Sequence, residues 1–383
     1  MIGVPPHQYR QEARKRGLAD PVIDNALAQA LPPELNGAPA ILTLGHLARR
    51  MDVSHAYLRS IVANRNGEHY RDFLMAKRSG GIRRIAVPEP TLMAVQRWIA
   101  REILNGRPVH ANSFAYAPNS SVVRCAERHI GAGWLLKLDI HDFFESIQER
   151  SVYRVFRQIG YQPLVAFELA RLCTRPWIYP KADGASDRTV ANYWNRGIST
   201  YRRELTGYVP QGAPTSPMLS NLACFQLDEK LTDFATNERL TFTRYSDDLT
   251  FSGPPGDFKR TRAVGLVAEV RKILTREGFR LHEKKISIVP SGGRKVVLGL
   301  LVDGDKPRLS SELRSRLADH VRGIEKFGIA SHATTRGFAA PTGMINHIGG
   351  LLRWARDVEP AFADPLRARF DAALGKFGWT PTE

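Results

Sequence analysis

Residues 240–253, LTFTRYSDDLTFSG, set two adjacent aspartates, Asp247 and Asp248, between two short runs rich in Thr, Phe and Leu. Apolar residues alternating with polar ones on both sides predict two strands that meet at the acidic pair as a hairpin. Aspartate favours turns, so the pair by itself has an ordinary explanation. A second stretch changes its weight. In WLLKLDIHDFFESI, residues 134–147, the run Trp134–Leu138 reads as a strand, Asp139 sits near its end 108 residues ahead of Asp247, and Phe143 and Phe144 follow.

If the fold brings Asp139 up to Asp247, their like charges are unfavourable unless protons or cations compensate them. Clustered carboxylates suit Mg2+, which keeps part of its water and also binds substrate phosphates. Two Mg2+ ions, with Mn2+ as a substitute, are therefore expected, and Asp139, Asp247 and Asp248 are the expected catalytic and metal-ligating set. One ion, held mainly by Asp139 and Asp247, would acidify a primer 3′-hydroxyl and aim it at an α-phosphate; the other would bind the triphosphate and the departing pyrophosphate. Asp248 ranks below the other two, as an electrostatic and positioning group. The same carboxylates could serve hydrolysis, so a metal-dependent nuclease is a second reading.

The chain has 383 residues, 43% of them hydrophobic, enough for a sizeable core shared among two or three connected subdomains. Lys and Arg total 55 against 38 Asp and Glu, a formal charge of +17, which favours phosphate-rich partners over cationic ones. Cys125, Cys173 and Cys224 have neither metal-ligand spacing nor a disulfide framework, as suits structural thiols in a reducing compartment. The opening MIGVPPHQYRQEARKRG carries no apolar signal segment, and no charge-free run is long enough to cross a bilayer. A soluble cytoplasmic protein with no membrane partner is the expectation.

Along the chain, a basic N-terminal helix and the turn LPPELNGAP (31–39) lead into Leu44, Leu47 and Met51, then Leu58, Ile61 and Val62, apolar residues at helical intervals. The two short helices have the outline of a helix-turn-helix, although packing of an N-terminal cap is the simpler reading. YRDFLMAKRSGGIRRIAVPEP (70–90) predicts a hairpin whose basic tip, with Lys77, Arg78, Arg83 and Arg84, suits phosphate contact. Leu92, Val95, Ile99 and Ile103 then mark one apolar helix face. Residues 175–208 mix turn formers with basic and aromatic residues, a composition that does not choose between an ordered insertion and a loop contacting nucleic acid. VPQGAPTSPMLSNLACFQLDEKLTDFA (209–235) begins as a Gly/Pro turn that sets its backbone beside a ligand and continues as one amphipathic helix through Leu219, Leu222, Phe225, Leu227 and Leu231. After the hairpin come a helix over 263–279, a strand in KKISIV and another in KVVLGLLV. The remainder reads as helices: SELRSRLADHVRGIEKFG (311–328), capped by Ser310 or Ser311, and a shorter one in MINHIGGLLRWARD (344–357), which sets Arg353 and Arg356 for a nucleic-acid backbone. Helices mixed with hairpins give an α+β fold with an antiparallel sheet.

Taken in order, LKLDIHDFF, VPQGAPTSPMLSNL, RYSDDLTFSG and GFRLHEKKISIV, followed by VVLGLLVDG, resemble the successive palm motifs of bacterial reverse transcriptases, most closely the retron-type branch, from about residue 64 to the C-terminus. The resemblance implies a right-hand polymerase with fingers, antiparallel-sheet palm and helical thumb. It implies an N-terminal helical extension over 1–63, fingers over 64–133, palm over 134–306 with a finger insertion around 150–208, and thumb over 307–383. It also implies RNA-directed DNA synthesis that depends on divalent metal. Residue by residue, Asp139 matches the first metal-binding aspartate. Asp247 and Asp248 match the pair in the YxDD box, which Tyr245 begins and in which Ser246 takes the variable place. Phe144 falls where the family sets a bulky side chain beneath the incoming sugar, a ring that excludes the ribose hydroxyl and favours dNTPs over rNTPs; Phe143 suits the core. Gln211 and Gly212 match the loop that contacts template and incoming nucleotide, Gly212 permitting close approach of backbone while Pro210 and Pro214 stiffen the flanks. Arg83 and Arg84 resemble residues that hold the triphosphate, with no choice made between them. Lys284 or Lys285 approaches the triphosphate or pyrophosphate, or belongs to a plain basic turn.

The chain departs from the retron pattern in two places. Where retron enzymes carry Asn-Ala-x-x-His it has CAERH, with Cys125 in place of Asn while Ala126 and His129 remain; where they carry Val-Thr-Gly it has Val297, Leu298 and Gly299. Both changes leave the polymerase reading intact and weaken the link to a standard retron noncoding RNA. The implied partners are an RNA template, a DNA primer or RNA–DNA hybrid, dNTPs, and, in a retron-like antiviral defence system, a structured noncoding RNA and a defence effector. With no zinc-binding HNH segment recognisable, intron mobility is less attractive, and no separate RNase H motif set is visible. A catalytically silent RNA-binding scaffold that kept the polymerase shape is the other alternative.

Overall fold

Four helices open the structure, a computed structural model that describes residues 6–63, 68–76, 82–176 and 206–379. They are α1 (Pro6–Lys15), α2 (Asp20–Leu35), α3 (Leu44–Arg50) and α4 (His55–Ala63). Thr43 caps α3, its hydroxyl accepting the His46 backbone N–H at 3.0 Å. Leu44, Leu47, Leu58, Ile61 and Val62 sink the α3–α4 pair into the main hydrophobic core, so packing accounts for its apolar faces. Next, β1 (Tyr70–Ala76) and β2 (Ile82–Pro88) form an antiparallel hairpin with Tyr70 opposite Pro88 and Ala76 opposite Ile82. Lys77 and Arg78, expected at its tip, lie outside the described residues. In α5 (Pro90–Trp98) the helix begins on a proline and passes into a π-helical turn over Ile99–Leu104, while Leu92, Val95, Ile99 and Ile103 stay buried. The short α6 (Val122–Glu127) is capped by Ser121.

Period-two alternation then builds the central sheet. In β3 (Trp134–His141), Trp134, Leu136, Leu138 and Ile140 enter the main core, which leaves Leu135, Lys137, Asp139 and His141 for the opposite face. Helices α7 (Phe143–Ser146), α8 (Glu149–Ile159) and α9 (Pro163–Cys173) follow, and β4 (Arg175–Pro176) pairs with β5 (Gly207–Tyr208) at the root of the insertion, most of which, 177–205, lies outside the described residues. Where the sequence predicts one helix there are two, α10 (Ser216–Ala223) and α11 (Phe225–Asn237), because Cys224 at φ −88°, ψ 2° ends one and starts the other. The bend lets Met218 and Leu219 of the first and Leu227 and Leu231 of the second reach the same core.

The predicted hairpin is β6 (Thr241–Tyr245) with β7 (Asp248–Gly253), followed by α12 (Arg260–Arg276), β8 (Arg280–Leu281) and β9 (Ser287–Val289). The sheet runs β6, β7, β3, with β8 and β9 sharing the other edge of β3, and every pairing is antiparallel. The strand expected in KKISIV starts only at Ser287, since Glu283–Lys285 coil into a 3-10 turn. KVVLGLLV is not one strand but a hairpin, β10 (Val296–Val297) and β11 (Leu300–Leu301), about Leu298 and Gly299 at φ 49° and 86°. Two successive positive φ values are what a type I′ turn requires.

Strand β12 (Arg308–Leu309) pairs with β11 and leads into α13 (Ser311–Phe327), α14 (Ile329–Thr335), α15 (Pro341–Val358) and α16 (Pro360–Lys376). The helix expected to be the shorter of two is the 18-residue α15, one residue longer than α13. Leu317, Val321, Ile324, Met344, Ile348, Leu352 and Phe370 form a second core with Val297, Leu300 and Leu309 and with Ala126 and Leu135 from earlier in the chain. Among the described residues no helix is long and apolar enough to cross a membrane.

Candidate active site

Cross-strand register gathers the acidic residues. Tyr245 pairs with Asp248, so Ser246 and Asp247 make a two-residue turn. Ser246 has φ 59° and Asp247 is not among the positive-φ residues, the pattern of a II′ turn, whose first central position normally takes glycine. Serine in that conformation is strained, and its neighbours hold it. Arg244 Nη1 donates to the Ser246 carbonyl at 3.1 Å, the Tyr116 and Ser246 hydroxyls lie 2.9 Å apart, and the Ile140 N–H donates to the Asp247 carbonyl at 2.9 Å. Arg244 is itself fully buried, its Nε and Nη2 each donating to an Asp228 oxygen at 2.6 Å and Nη2 also reaching Ser113 Oγ at 3.0 Å. A buried ion pair with both ends this well bonded fixes the base of the turn.

On the face of the sheet opposite the main core Asp248 stands directly opposite Asp139. Like charges in that relation repel, and the carboxyls register it. Burial first, then the charges of Asp247 and Asp139, push Asp248 up to about 6, with Lys137 and Lys285 acting the other way. Asp248 is nevertheless open to solvent, beside an Asp139 that is almost closed off from it. Asp247 is raised as well, by burial and then by Asp139. The Lys285 ammonium reaches from the 3-10 turn to Asp139 Oδ2 at 2.5 Å, and Asp139 is only 5% exposed. Lys284, on the same turn, is exposed. Of the two lysines, Lys285 is therefore the one that meets the carboxylates.

Among the described residues no three His, Cys, Asp or Glu side chains are already gathered as a ready metal cage. The donor set still fits divalent cations: Asp247 and Asp248 both feel the charge of Asp139, and an ammonium already stands against Asp139 itself.

Around the carboxylates, Phe143 is buried while Phe144 is half-buried, with ring centroids 5.4 Å from Phe143 and 6.3 Å from Tyr116. The Gln211 carbonyl accepts the Ala86 N–H of β2 at 2.7 Å. Gly212, at φ 115°, lies so close to that strand that a Cβ would stand 2.7 Å from Ile85 Cγ2 and 3.0 Å from the Ala86 carbonyl oxygen. Register puts Arg83 on the Ile85 face of the hairpin and Arg84 on the Asp72 face. The Arg83 charge also reaches the Tyr116 hydroxyl, whereas that of Arg84 reaches Asp72. Arg83 is thus the arginine turned toward the acidic turn. Arg353 and Arg356 are exposed on α15, and Arg356 pairs with Asp364 at 2.9 Å; among the described residues neither has a contact with the three carboxylates.

Sequence reasoning passed over Arg244, Asp228, Tyr116 and Lys137. Arg244 did carry a signal, since it occupies a core-facing position of β6 where a charge needs a buried partner. Tyr116 carried none, its partner Ser246 being 130 residues away. The CAERH element has a structural part: His129 Nδ1 lies 2.8 Å from Ser252 Oγ and its Nε2 2.7 Å from Thr243 Oγ1, which ties it to both strands of the acidic hairpin. Burial lowers His129 to about 3, leaving it neutral.

Residues 75–302 match the family described as reverse transcriptase (RNA-dependent DNA polymerase). The retron Mx65 reverse transcriptase of Myxococcus xanthus is 31% identical over 367 residues, 93% of this chain and 76% of that relative. The chain belongs to the retron-type reverse transcriptases. Retron Ec86 reverse transcriptase of Escherichia coli is 26% identical over 90% of this chain and 93% of its own. Retron Mx162 reverse transcriptase of Myxococcus xanthus is 31% identical over 70% of this chain, a match that spans 55% of that relative's length. A retron-type reverse transcriptase is an RNA-directed DNA polymerase. Its fold is the α+β right hand of that family, built on an antiparallel sheet with helices towards the C-terminal end.

Proposed function

We propose that this reverse transcriptase adds dNTPs to a primer 3′-hydroxyl on an RNA template by two-metal phosphoryl transfer, and does so in a retron or related antiviral defence system in the cytoplasm. The observation that carries the chemistry is the pairing of Asp139 with Asp248, with Asp247 beside them at a clamped turn. Asp139 and Asp247 would hold the ions, Mg2+ or its substitute Mn2+, and Asp248 adds negative field and positions the cluster. Bound there, divalent ions supply activation of the primer hydroxyl and neutralisation of the departing pyrophosphate.

The protein's own groups do the rest. Phe144, backed by Phe143 and Tyr116, walls the sugar site and excludes a 2′-hydroxyl. Arg83 faces the triphosphate from the fingers, while Asp72 on the Arg84 face of the hairpin is held by Arg175. Gln211 and Gly212 offer backbone to template and nucleotide, while Lys284 adds charge near the pyrophosphate. Lys77, Arg78, Arg353 and Arg356 would track the backbones of template, primer or hybrid. The extension over 1–63, fingers over 64–133, palm over 134–306 and thumb over 307–383 complete the assignment, with a structured noncoding RNA and a defence effector as further partners.

Product length separates this reading from its rivals. With a labelled DNA primer on an RNA template, the polymerase lengthens the label only when dNTPs and divalent ions are present, and releases pyrophosphate. Shortening without dNTPs would make it a nuclease. Tight binding with no change of length would make it a scaffold.

A further inference from the structure

We infer that Lys285 is a built-in counter-cation for the catalytic carboxylates, holding an oxygen of Asp139 until a divalent ion displaces it. This inference rests on the two-metal reading proposed above. Its basis is a mismatch of burial: the Asp139 side chain is 8% exposed and the Lys285 side chain 47%, so the ammonium reaches in from solvent to cap a buried carboxylate at 2.5 Å. The contact is set by the backbone. The His282 N–H donates to the Asp139 carbonyl at 2.8 Å, the Lys285 N–H donates to the His282 carbonyl at 2.9 Å, and β8 pairs Leu281 with Ile140. Lys285 therefore starts from a turn stitched to the same strand that carries Asp139.

The residue type suits a removable cation. Beneath the turn the palm uses Arg244, whose planar fork grips Asp228 in two bonds and is fully buried. Above it the palm uses lysine, a point charge on a flexible stem that can swing out once its partner is taken. An ammonium and a metal ion cannot share the same oxygen lone pairs, and the ammonium repels a dication nearby. Without either cation, Asp139 would face Asp248 across the sheet with only the more distant charge of Lys137 to offset them.

The direction of the effect distinguishes this role from ordinary support. Removing a merely structural contact loosens the site and weakens metal binding, whereas removing a competitor tightens it. Titration of the full chain with Mn2+, followed by electron paramagnetic resonance without nucleic acid or dNTP, reads this directly. Lys285→Met is expected to bind Mn2+ roughly threefold or more tightly than wild type, the scale of an exposed ion pair. Metal-free, it is expected to melt below wild type, with saturating Mg2+ closing the gap. Lys272→Met, which removes an exposed lysine paired to Glu269 on α12, leaves the affinity unchanged. Equal or weaker Mn2+ binding by Lys285→Met overturns the role of Lys285 while leaving the metal site standing. Wild-type binding that Asp139→Asn does not weaken overturns the metal reading, and the counter-cation with it.

Discussion

Asp248 shows what the site asks of a single residue. Its folded pKa of about 6 lies above the ordinary 3.8, so the stabilisation of its protonated form is complete below 3.8 and is lost as pH rises through 6. Above that range the metal-free protein carries a carboxylate it would be steadier without. Metal-free Asp248→Asn should therefore melt higher than wild type near pH 8, with the difference gone below about pH 4; a variant that melts lower at pH 8 would show that the repulsion is not there. His129 works in the opposite sense. Held neutral, with its pKa lowered from 6.5 to about 3, it stabilises the fold above 6.5 and loses that contribution as pH falls toward 3. At most this amounts to about 1.4 kcal/mol per pH unit. Only the difference between wild type and variant at each pH isolates Asp248 from this background.

Among the elements, the β6–β7 hairpin depends on Arg244 for its turn and on Asp228 for the charge that keeps Arg244 buried. Arg244→Met leaves the Asp228 carboxyl without its partner in the core, a loss of about 3–5 kcal/mol in denaturant unfolding. Arg244→Lys should recover only part of it, because a compact ammonium lacks the planar fork that reaches Asp228, the Ser246 carbonyl and Ser113 at once. The loop at Gln211 and Gly212 depends instead on closeness to β2. Gly212→Ala puts a methyl 2.7 Å from Ile85 at a φ of 115°. A local strain of about 1–3 kcal/mol follows. The expected result is a raised KM for dNTP with a smaller effect on melting, and an unchanged KM would contradict the loop's place in the nucleotide site. Strand alternation was legible in the sequence at this scale because one face of each strand is core. The breaks were not. Cys224 is no helix breaker, and Leu298 replaces the Asn or Gly that ordinarily announces a type I′ turn, so neither carried a local signal.

Across the whole molecule, the α+β class and the carboxylate cluster could be read from the chain, because the acidic residues end strands whose apolar faces fix their register. What could not be read was everything decided by register or by distant packing. Arg83 and Arg84 differ only in the face they occupy, Lys284 and Lys285 only in which one reaches Asp139, and Tyr116 meets Ser246 only after folding. The same holds for the second core, in which Val297, Leu300 and Leu309 meet the C-terminal helices through contacts that no local pattern announces. The claim that joins these levels is that the acidic hairpin performs RNA-directed DNA synthesis. Extension of a DNA primer on a defined RNA template, with Mg2+ and all four dNTPs, tests it on wild type and on Asp247→Ala/Asp248→Ala matched for melting behaviour. Template-dependent extension by wild type and a loss of at least about a thousandfold in the double variant is the predicted result, the scale on which removal of groups stabilising the transition state is felt. Extension that survives in the folded double variant would contradict it.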